Sequence, residues 1–476
     1  MTSVQLHTLL PFCALSTPEP SVRAPSGSVF AWLSVVSRVP VVSYAIDHLA
    51  VDTASEDIPH SPRKAYHTGP GTPDMIELED VLAAETRVAE TARTTPLERS
   101  RTFSERTGAD VRLKMEHLQR TGAFKIRGAT NKIALLDEAE REAGVVAASA
   151  GNHAQGVALA ATRAGVDATI VMPEYAPISK IDATRSYGAE VELHGVDYDA
   201  AAERAHEIER EAGRTFVHAF DDPAVMAGQG TIGLEIAEQC PDVETVVVPI
   251  GGGGLIAGIA TAITGLTDAR VIGVQAEGAE SAARSLEAGE VVERDSVDTI
   301  ADGIATRKIG DATFEVIKAR VDEVVTVSDA EIADAVTSLL ERSKTLVEGA
   351  GAVSLAAVIE ERFGYDNGET IVPALCGGNI DLNVLTTVIT RGLVERGRFL
   401  RIKTVLKDRP GALEELVELL SKHRTNIHAI EHDRASKDIA MNAAEVELDL
   451  ETRGHDHVAE LLAALEERGY DVEVQS

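Results

Sequence analysis

One lysine in the chain stands between a glycine turn and an amphipathic helix. Lys125 follows Thr121 and Gly122, which favour a turn, and precedes apolar residues at helical spacing over 126–136. The partial positive charge at a helix N-terminus lowers the cost of keeping an amine neutral. A neutral lysine amine can form a Schiff base with a carbonyl compound. Lys125 is therefore a candidate catalytic residue, although a solvated surface lysine at a helix start has the same local pattern.

Two loops rich in glycine or polar residues follow segments predicted to be buried strands. Residues 149–156 (Ser-Ala-Gly-Asn-His-Ala-Gln-Gly) open a helix, so their backbone N–H groups can bind an anion such as a carboxylate. Gly251–Gly254 follow Val246–Val248 and also precede a helix. The Walker sequence and a GxGxxG fingerprint backed by an acidic strand end are absent, which favours a single phosphate over a nucleotide. The alternative for residues 149–156 is an ordinary loop that caps a helix, and the alternative for Gly251–Gly254 is a structural turn.

A third loop contains a cysteine. Residues 375–380 (Leu-Cys-Gly-Gly-Asn-Ile) follow the apolar run 371–374, which is typical of a buried strand. Cys376 either packs as a plain buried thiol or hydrogen-bonds a ligand. Both interpretations stay open on the sequence alone.

The composition disfavours several classes of binding partner. The chain has 476 residues and a formal net charge of −32, with 77 acidic and 45 basic residues. Such an acidic protein disfavours nucleic acid and anionic membranes as partners. Three scattered cysteines form neither a disulfide framework nor a metal spacing, which fits a cytoplasmic protein. The excess of acid also suggests a halophile, because concentrated salt screens the self-repulsion.

The chain divides into three parts. Residues 1–74 lack sustained periodicity and are either a disordered extension or the product of a misassigned start. Residues 75–397 alternate short apolar strands with helical segments, which predicts two parallel αβα domains, the smaller at roughly 115–220. Residues 398–476 follow a βαββαβ order, typical of a ferredoxin-like module. The predicted fold class is therefore α/β with a C-terminal α+β module.

Together these motifs, in this order and spacing, resemble the fold-type II pyridoxal-phosphate enzymes, and among them the serine/threonine dehydratases. The resemblance covers about residues 75–395. It implies that Lys125 forms the Schiff base with pyridoxal 5'-phosphate and takes the α-proton of the substrate. It implies further cofactor contacts at Phe124, Asn152, Gly251, Gly252, Gly253, Gly254, Leu255 and Cys376. Among these, the resemblance implies that Asn152 bonds the pyridoxal hydroxyl and that Cys376 contacts the pyridine nitrogen. It implies substrate contacts at Ser149, Ala150, Gly151, His153 and Gly303.

Two departures from the family pattern carry information. The related serine racemases have a second catalytic serine where this chain has Ala150, so the resemblance implies dehydration rather than racemisation. Relatives that bind a divalent cation have an acidic pair after a strand. Glu277 matches the first acid, but Ala283 stands at the second position. No strong divalent site is expected, and a monovalent cation near Glu277 is the alternative.

The C-terminal module resembles an ACT domain through its Asp408-Arg409-Pro410-Gly411 turn and its order of elements. ACT domains usually pair and bind amino acids, so the resemblance implies a homo-oligomer with an amino-acid effector such as isoleucine or valine. Gly411 and Asn426 stand where such effectors bind. A dimerisation module without a ligand is the alternative.

The resemblance leads to the expectation of a threonine dehydratase (threonine ammonia-lyase) that acts on L-threonine and L-serine and is regulated through the ACT domain. Isoleucine biosynthesis is the pathway this suggests. A β-replacement or threonine synthase-type enzyme on the same scaffold is one alternative. A non-catalytic amino-acid sensor is the other.

Overall fold

The computed structural model describes residues 75–434 and 440–475. Both interpretations of residues 1–74 lie outside the described residues. The strands, in chain order, are β1 (Leu97–Arg99), β2 (Asp110–Lys114), β3 (Val145–Ala148), β4 (Ala168–Met172), β5 (Glu190–Leu193), β6 (Thr215–Phe216), β7 (Thr245–Pro249), β8 (Arg270–Ala276), β9 (Glu323–Val327), β10 (Thr370–Pro373), β11 (Phe399–Lys407), β12 (Asn426–Asp433), β13 (Ala443–Glu451) and β14 (Val472–Gln475).

Helices separate most of these strands. They are α1 (Leu78–Ala89), α2 (Arg101–Thr107), α3 (Ile126–Ala134), α4 (Glu138–Ala143), α5 (Asn152–Ala164), α6 (Ile178–Ser186), α7 (Tyr198–Ala212), α8 (Pro223–Gln239), α9 (Gly254–Leu266), α10 (Ser281–Ala288), α11 (Asp311–Arg320), α12 (Asp329–Ser338), α13 (Gly349–Ile359), α14 (Leu382–Glu395), α15 (Ala412–Lys422) and α16 (His455–Glu467). A π-helical turn, Leu339–Ser343, extends α12.

The larger of two α/β lobes is built on a six-stranded sheet in the order β1-β2-β10-β7-β8-β9. All neighbours are parallel except β1 and β2, which pair antiparallel at one edge. Every residue of β7 and β10 is buried, because helices cover both faces of the sheet. The continuous apolar runs of the sequence follow from this double covering.

The smaller lobe contains a parallel sheet in the order β5-β4-β3-β6. Its two central strands, β3 and β4, are fully buried, whereas β5 at the edge is largely exposed. The carboxyl end of β3 leads directly into the loop that begins at Ser149. Loops at this end of a parallel sheet are the usual place for ligand contacts.

The C-terminal module is an antiparallel sheet in the order β12-β13-β11-β14, with α15 and α16 packed on one face. Its strands β11 and β13 alternate buried and exposed residues, as a sheet with one covered face requires. The predicted βαββαβ order is confirmed. The fold class is also confirmed, and the antiparallel sheet is compatible with an ACT domain.

The junction between α14 and the C-terminal module is held by charged groups. The Arg396 guanidinium binds Asp334, Ser338 and Glu341, and Arg398 also binds Glu341. On the other side, Thr452 donates its hydroxyl hydrogen to the Gly397 carbonyl. The π-helical turn carries Glu341 and therefore contacts the linker directly.

No helix among residues 75–434 and 440–475 is long and apolar enough to cross a membrane.

Candidate active site

Lys125 lies at the N-cap of α3, where the prediction placed it. Its Nζ donates to the carbonyl of Ala219 at 2.8 Å and lies 5.1 Å from the centre of the Phe124 ring. Burial lowers the pKa of Lys125 to about 8, although nearby Cys376 and Glu348 act in the opposite direction. A substantial fraction of this amine is therefore neutral near pH 8, as nucleophilic attack on a carbonyl requires.

The loop after β3 forms a second side of the site. Gly151 donates its N–H to Ser149 Oγ at 3.2 Å, and a Cβ on Gly151 would meet no atom within 4 Å. The loop therefore borders open space. His153 Nε2 lies 2.8 Å from the Val217 carbonyl, so this nitrogen carries the hydrogen. Burial and the charge of Lys125 lower the pKa of His153 to about 3, which keeps the ring neutral.

The glycine loop connects β7 to α9. Gly253 has φ +98°, a left-handed conformation that favours glycine. The Gly252 carbonyl accepts hydrogen bonds from Gly310 N and Thr313 Oγ1, at 3.1 and 2.7 Å. A Cβ on Gly252 would overlap the ring of Phe220. These contacts fix the loop with its carbonyl turned toward α11, which leaves the N–H groups at the start of α9 available for an anion.

Cys376 completes the floor of the site. Its thiol is buried and lies 3.2 Å from the Ala350 carbonyl, and its own carbonyl accepts the N–H of Phe124. Burial raises the pKa of the Cys376 thiol far above its usual range, so the group is a neutral thiol. Because Phe124 directly precedes Lys125 in the chain, this hydrogen bond holds Cys376 close to Lys125.

Two residues in the site were missed by the sequence prediction. Glu348 accepts a hydrogen bond from Asn152 Nδ2 at 2.8 Å, and Asn379 Nδ2 donates to Asn152 Oδ1 at 2.8 Å. A single acid within the otherwise apolar run 346–353 was the available signal for Glu348. Asn379 was part of the recognised Cys376 loop, but its role required the fold.

The remaining predicted residues are spread over the structure. Gly303 lies beside Glu348, and Leu255 is buried in the first turn of α9. Glu277 is exposed, and no group of three metal-ligating side chains exists in the described part of the chain. In the C-terminal module, Gly411 has φ +90° and Asn426 donates to Glu451 Oε2 at 2.9 Å. The proposed effector contacts stay predictions.

Comparison with protein families decides the identity of this site. Residues 88–377 match the family described as pyridoxal-phosphate dependent enzymes. The chain belongs to this family. This pyridoxal-phosphate dependent enzyme is 50% identical over 401 residues to the L-threonine ammonia-lyase of Thermotoga maritima, a match that covers 84% of this chain and 100% of the relative. It is 45% identical over 315 residues to the catabolic L-threonine dehydratase TdcB of Escherichia coli K12, covering 66% of this chain and 96% of TdcB.

Solved structures agree with the family. Threonine deaminase isoform 2 from Solanum lycopersicum superposes with a TM-score of 0.65 and 39% identity, covering 68% of this chain and 95% of that chain. The structure of maize serine racemase superposes with a TM-score of 0.64 and 35% identity, covering 67% of this chain and 99% of that chain. In both superpositions, the covered fraction of this chain is close to the fraction of its residues that form the two catalytic lobes.

The residues of this pyridoxal-phosphate dependent enzyme fit its cofactor. Lys125 provides an amine of lowered pKa for the aldehyde, and the glycine loop provides N–H groups for the phosphate. The Nδ1 atom of His153 is buried without a hydrogen-bond partner among the described residues, which leaves it free for a ligand. The predicted cofactor is therefore confirmed at the level of the family, and the individual contacts remain proposals.

Proposed function

We propose that this enzyme is a threonine ammonia-lyase, which converts L-threonine to 2-oxobutanoate and ammonia, and L-serine to pyruvate and ammonia. The observation that carries the proposal is the 50% identity to a named L-threonine ammonia-lyase over that relative's whole length. The reaction removes one water by β-elimination, and a later hydrolysis adds one water while ammonia leaves.

The chain's own groups suit this chemistry. When bound, pyridoxal phosphate supplies an electron sink for the bond that breaks at the α-carbon. The Lys125 amine, of pKa about 8, is the base for the α-proton. The loop from Ser149 to His153 holds the substrate carboxylate with N–H groups at the start of α5. The neutral Cys376 thiol would contact the pyridine nitrogen of the cofactor and, unlike a carboxylate, would not keep that nitrogen protonated.

One residue supports elimination over racemisation. Ala150 carries a methyl group, which cannot donate a proton to the second face of the α-carbon. Dehydration needs proton removal from one face only. The serine racemase relatives therefore share the fold with this protein, and we do not extend their activity to it.

We further propose that the C-terminal module is an ACT domain that binds an amino acid, isoleucine or valine, and regulates the enzyme as a homo-oligomer in the cytoplasm. The support is the βαββαβ sheet order and the turn at 408–411. Isoleucine as effector would place the enzyme in isoleucine biosynthesis. Calorimetry with isoleucine and valine tests this part, and an absence of binding heat would contradict it.

A visible spectrum of the purified enzyme in high salt tests the catalytic part. The expected result is a cofactor band that changes on addition of L-threonine, with release of 2-oxobutanoate. Lys125→Ala should lack both the covalent band and the product. A band that responds to threonine without 2-oxo acid would favour β-replacement or threonine synthase chemistry. A stable band with neither response nor product would favour a sensor.

A further inference from the structure

The Asn152 side chain is oriented by a directional chain of hydrogen bonds. Asn379 Nδ2 donates to the Thr121 carbonyl at 2.6 Å and to Asn152 Oδ1 at 2.8 Å, which uses both of its hydrogens. The oxygen of Asn152 therefore faces Asn379. Its nitrogen faces Glu348 Oε1 at 2.8 Å. One N–H of Asn152 remains for a ligand.

Two glycines make room for the Glu348 carboxyl group. A Cβ on Gly377 would overlap Glu348 Oε1 and would lie 3.2 Å from Asn152 Nδ2. A Cβ on Gly303 would lie 3.3 Å from the same oxygen. The Glu348 N–H in turn donates to the Gly377 carbonyl at 3.1 Å, so backbone and side chain are both held. The site is therefore shaped around this carboxyl group.

Asn379 and Glu348 together decide which atom Asn152 presents to the site, because one donates to its oxygen and the other accepts from its nitrogen. With an acceptor at Glu348, the amide must point its nitrogen that way, and its second N–H faces the site. If the amide turned by 180°, its carbonyl would face the site and would repel another oxygen acceptor. The ring oxygen of pyridoxal phosphate is such an acceptor.

We propose that Glu348 is a positioning residue that holds the Asn152 amide with an N–H directed at the ring oxygen of the cofactor. The proposal rests on the family's cofactor and on the contact between Asn152 and that oxygen, and it does not depend on threonine as substrate. Glu348 acts through Asn152 and stabilises the bound cofactor. Its removal should weaken cofactor binding and change the cofactor's absorption.

A double-mutant cycle with Glu348→Leu and Asn152→Ala tests the proposal. Binding of pyridoxal phosphate to each cofactor-free variant is titrated by absorbance, without any substrate. We expect Glu348→Leu to weaken binding about tenfold, the loss that one buried hydrogen bond typically causes. In the Asn152→Ala background the same change should cost less than about threefold, because the two residues act as one unit. Equal losses in both backgrounds would overturn the proposal.

A second variant distinguishes the loss of the acceptor oxygen from a failure of the protein to fold. Glu348→Gln keeps an acceptor oxygen, so it should bind the cofactor more tightly than Glu348→Leu and retain the absorption maximum of the unmodified protein. A Gln variant that folds, as judged by circular dichroism, yet binds no better than the Leu variant would also overturn the role. Since no step uses threonine, absence of 2-oxobutanoate would reject the proposed reaction and leave this test intact.

Discussion

At the scale of single residues, burial shifts the ionisable groups of the site toward their neutral forms. Burial lowers the pKa of Lys125 to about 8 and that of His153 to about 3, and it raises the pKa of the Cys376 thiol. Each shift has desolvation as its main cause. A lowered lysine pKa makes more of the amine neutral at a given pH, and the neutral amine is the form that attacks a carbonyl group. The enclosure itself therefore prepares Lys125 for reaction.

The depressed pKa of Lys125 predicts how the stability of the cofactor-free protein depends on pH. Below pH 8 both folded and unfolded states hold the proton, and the folded state carries a penalty of about 3 kcal/mol for the buried charge. From pH 8 to about 10.5 only the unfolded state holds it, so stability rises with pH. Lys125→Met should therefore gain stability relative to the unmodified protein at pH 7, and this difference should shrink toward pH 10.5.

Urea unfolding of both proteins at several pH values measures this difference. Lys308→Met, at an exposed lysine, is the matched control and should show no such trend. A pH-independent difference for Lys125→Met would mean that the amine has an ordinary pKa.

At the scale of elements, loops at the ends of β3, β7 and β10 bring the site together. These three loops begin at Ser149, Ile250 and Ala374, and they come from both lobes. Each follows a fully buried strand, which gives the loop a rigid origin. The site is thus assembled by elements far apart in the chain.

A side chain on the glycine loop should disturb the cofactor. Gly252→Ala places a Cβ in the ring of Phe220, so either the ring or the loop must move. Overpacking of this kind costs about 1–3 kcal/mol, so we expect cofactor affinity to fall by about fivefold or more. Absorbance titration measures it. Gly364→Ala, where a Cβ would meet no atom within 4 Å, is the control and should bind normally.

A buried ion cluster holds α3, and with it Lys125, against α8. All five N–H groups of Arg127 are used, by Glu116, Glu235, Thr231 and the Arg93 carbonyl. Lys114 Nζ likewise makes three bonds, one of them to Glu235 at 2.5 Å. Burial acts to raise the pKa of Glu116, but the charge and hydrogen bonds of Arg127 outweigh it and hold the pKa below its usual value. The cluster is fully paired.

Removing one charge from this cluster should be costly. Glu116→Gln leaves Arg127 buried and short of an anionic partner, and we expect a loss of about 3–5 kcal/mol in the free energy of unfolding. Guanidinium unfolding measures it. Arg409→Ala breaks an ion pair to Glu415 in which both side chains are more than half exposed, and should cost less than about 1 kcal/mol. Similar losses for both variants would show that burial does not strengthen the cluster.

Much of this arrangement was predictable from sequence because hydrophobic runs and glycine loops are local signals. The predicted alternation of strands and helices over residues 75–397 is observed, and the three site loops lie where expected. The antiparallel strand β1, only three residues long, has no such signal. The contact between Asn152 and Glu348 joins residues far apart in sequence, so only the packing of the two lobes could reveal it.

At the scale of the whole molecule, the formal net charge of −32 is the dominant property. In dilute buffer the screening length is about 10 Å or more, so acidic groups repel one another across the surface. Salt at molar concentration shortens this length to about 3 Å. The proposed halophilic origin stays a prediction of this charge.

Stability should consequently rise with salt. We expect the urea midpoint to increase steadily between 0.1 and about 2 M KCl, because screening removes repulsion that the unfolded chain feels less. Sucrose at matched osmolality is the control for solute exclusion. Equal midpoints in dilute buffer and in molar salt would contradict the halophilic interpretation.

The linker between catalytic lobe and C-terminal module has a mechanical consequence. Only Arg396, Gly397 and Arg398 separate α14 from β11, and each is bonded on at least one side. The linker is therefore a stiff joint and not a flexible tether. Because Arg396 and Arg398 both bind Glu341, a rotation of the module would displace the π-helical turn. Glu341 lies seven residues before Glu348. Between them, Lys344 has a left-handed φ of 55°, a conformation that costs a residue other than glycine about 1–3 kcal/mol, so the chain stores backbone strain between the linker contact and the site.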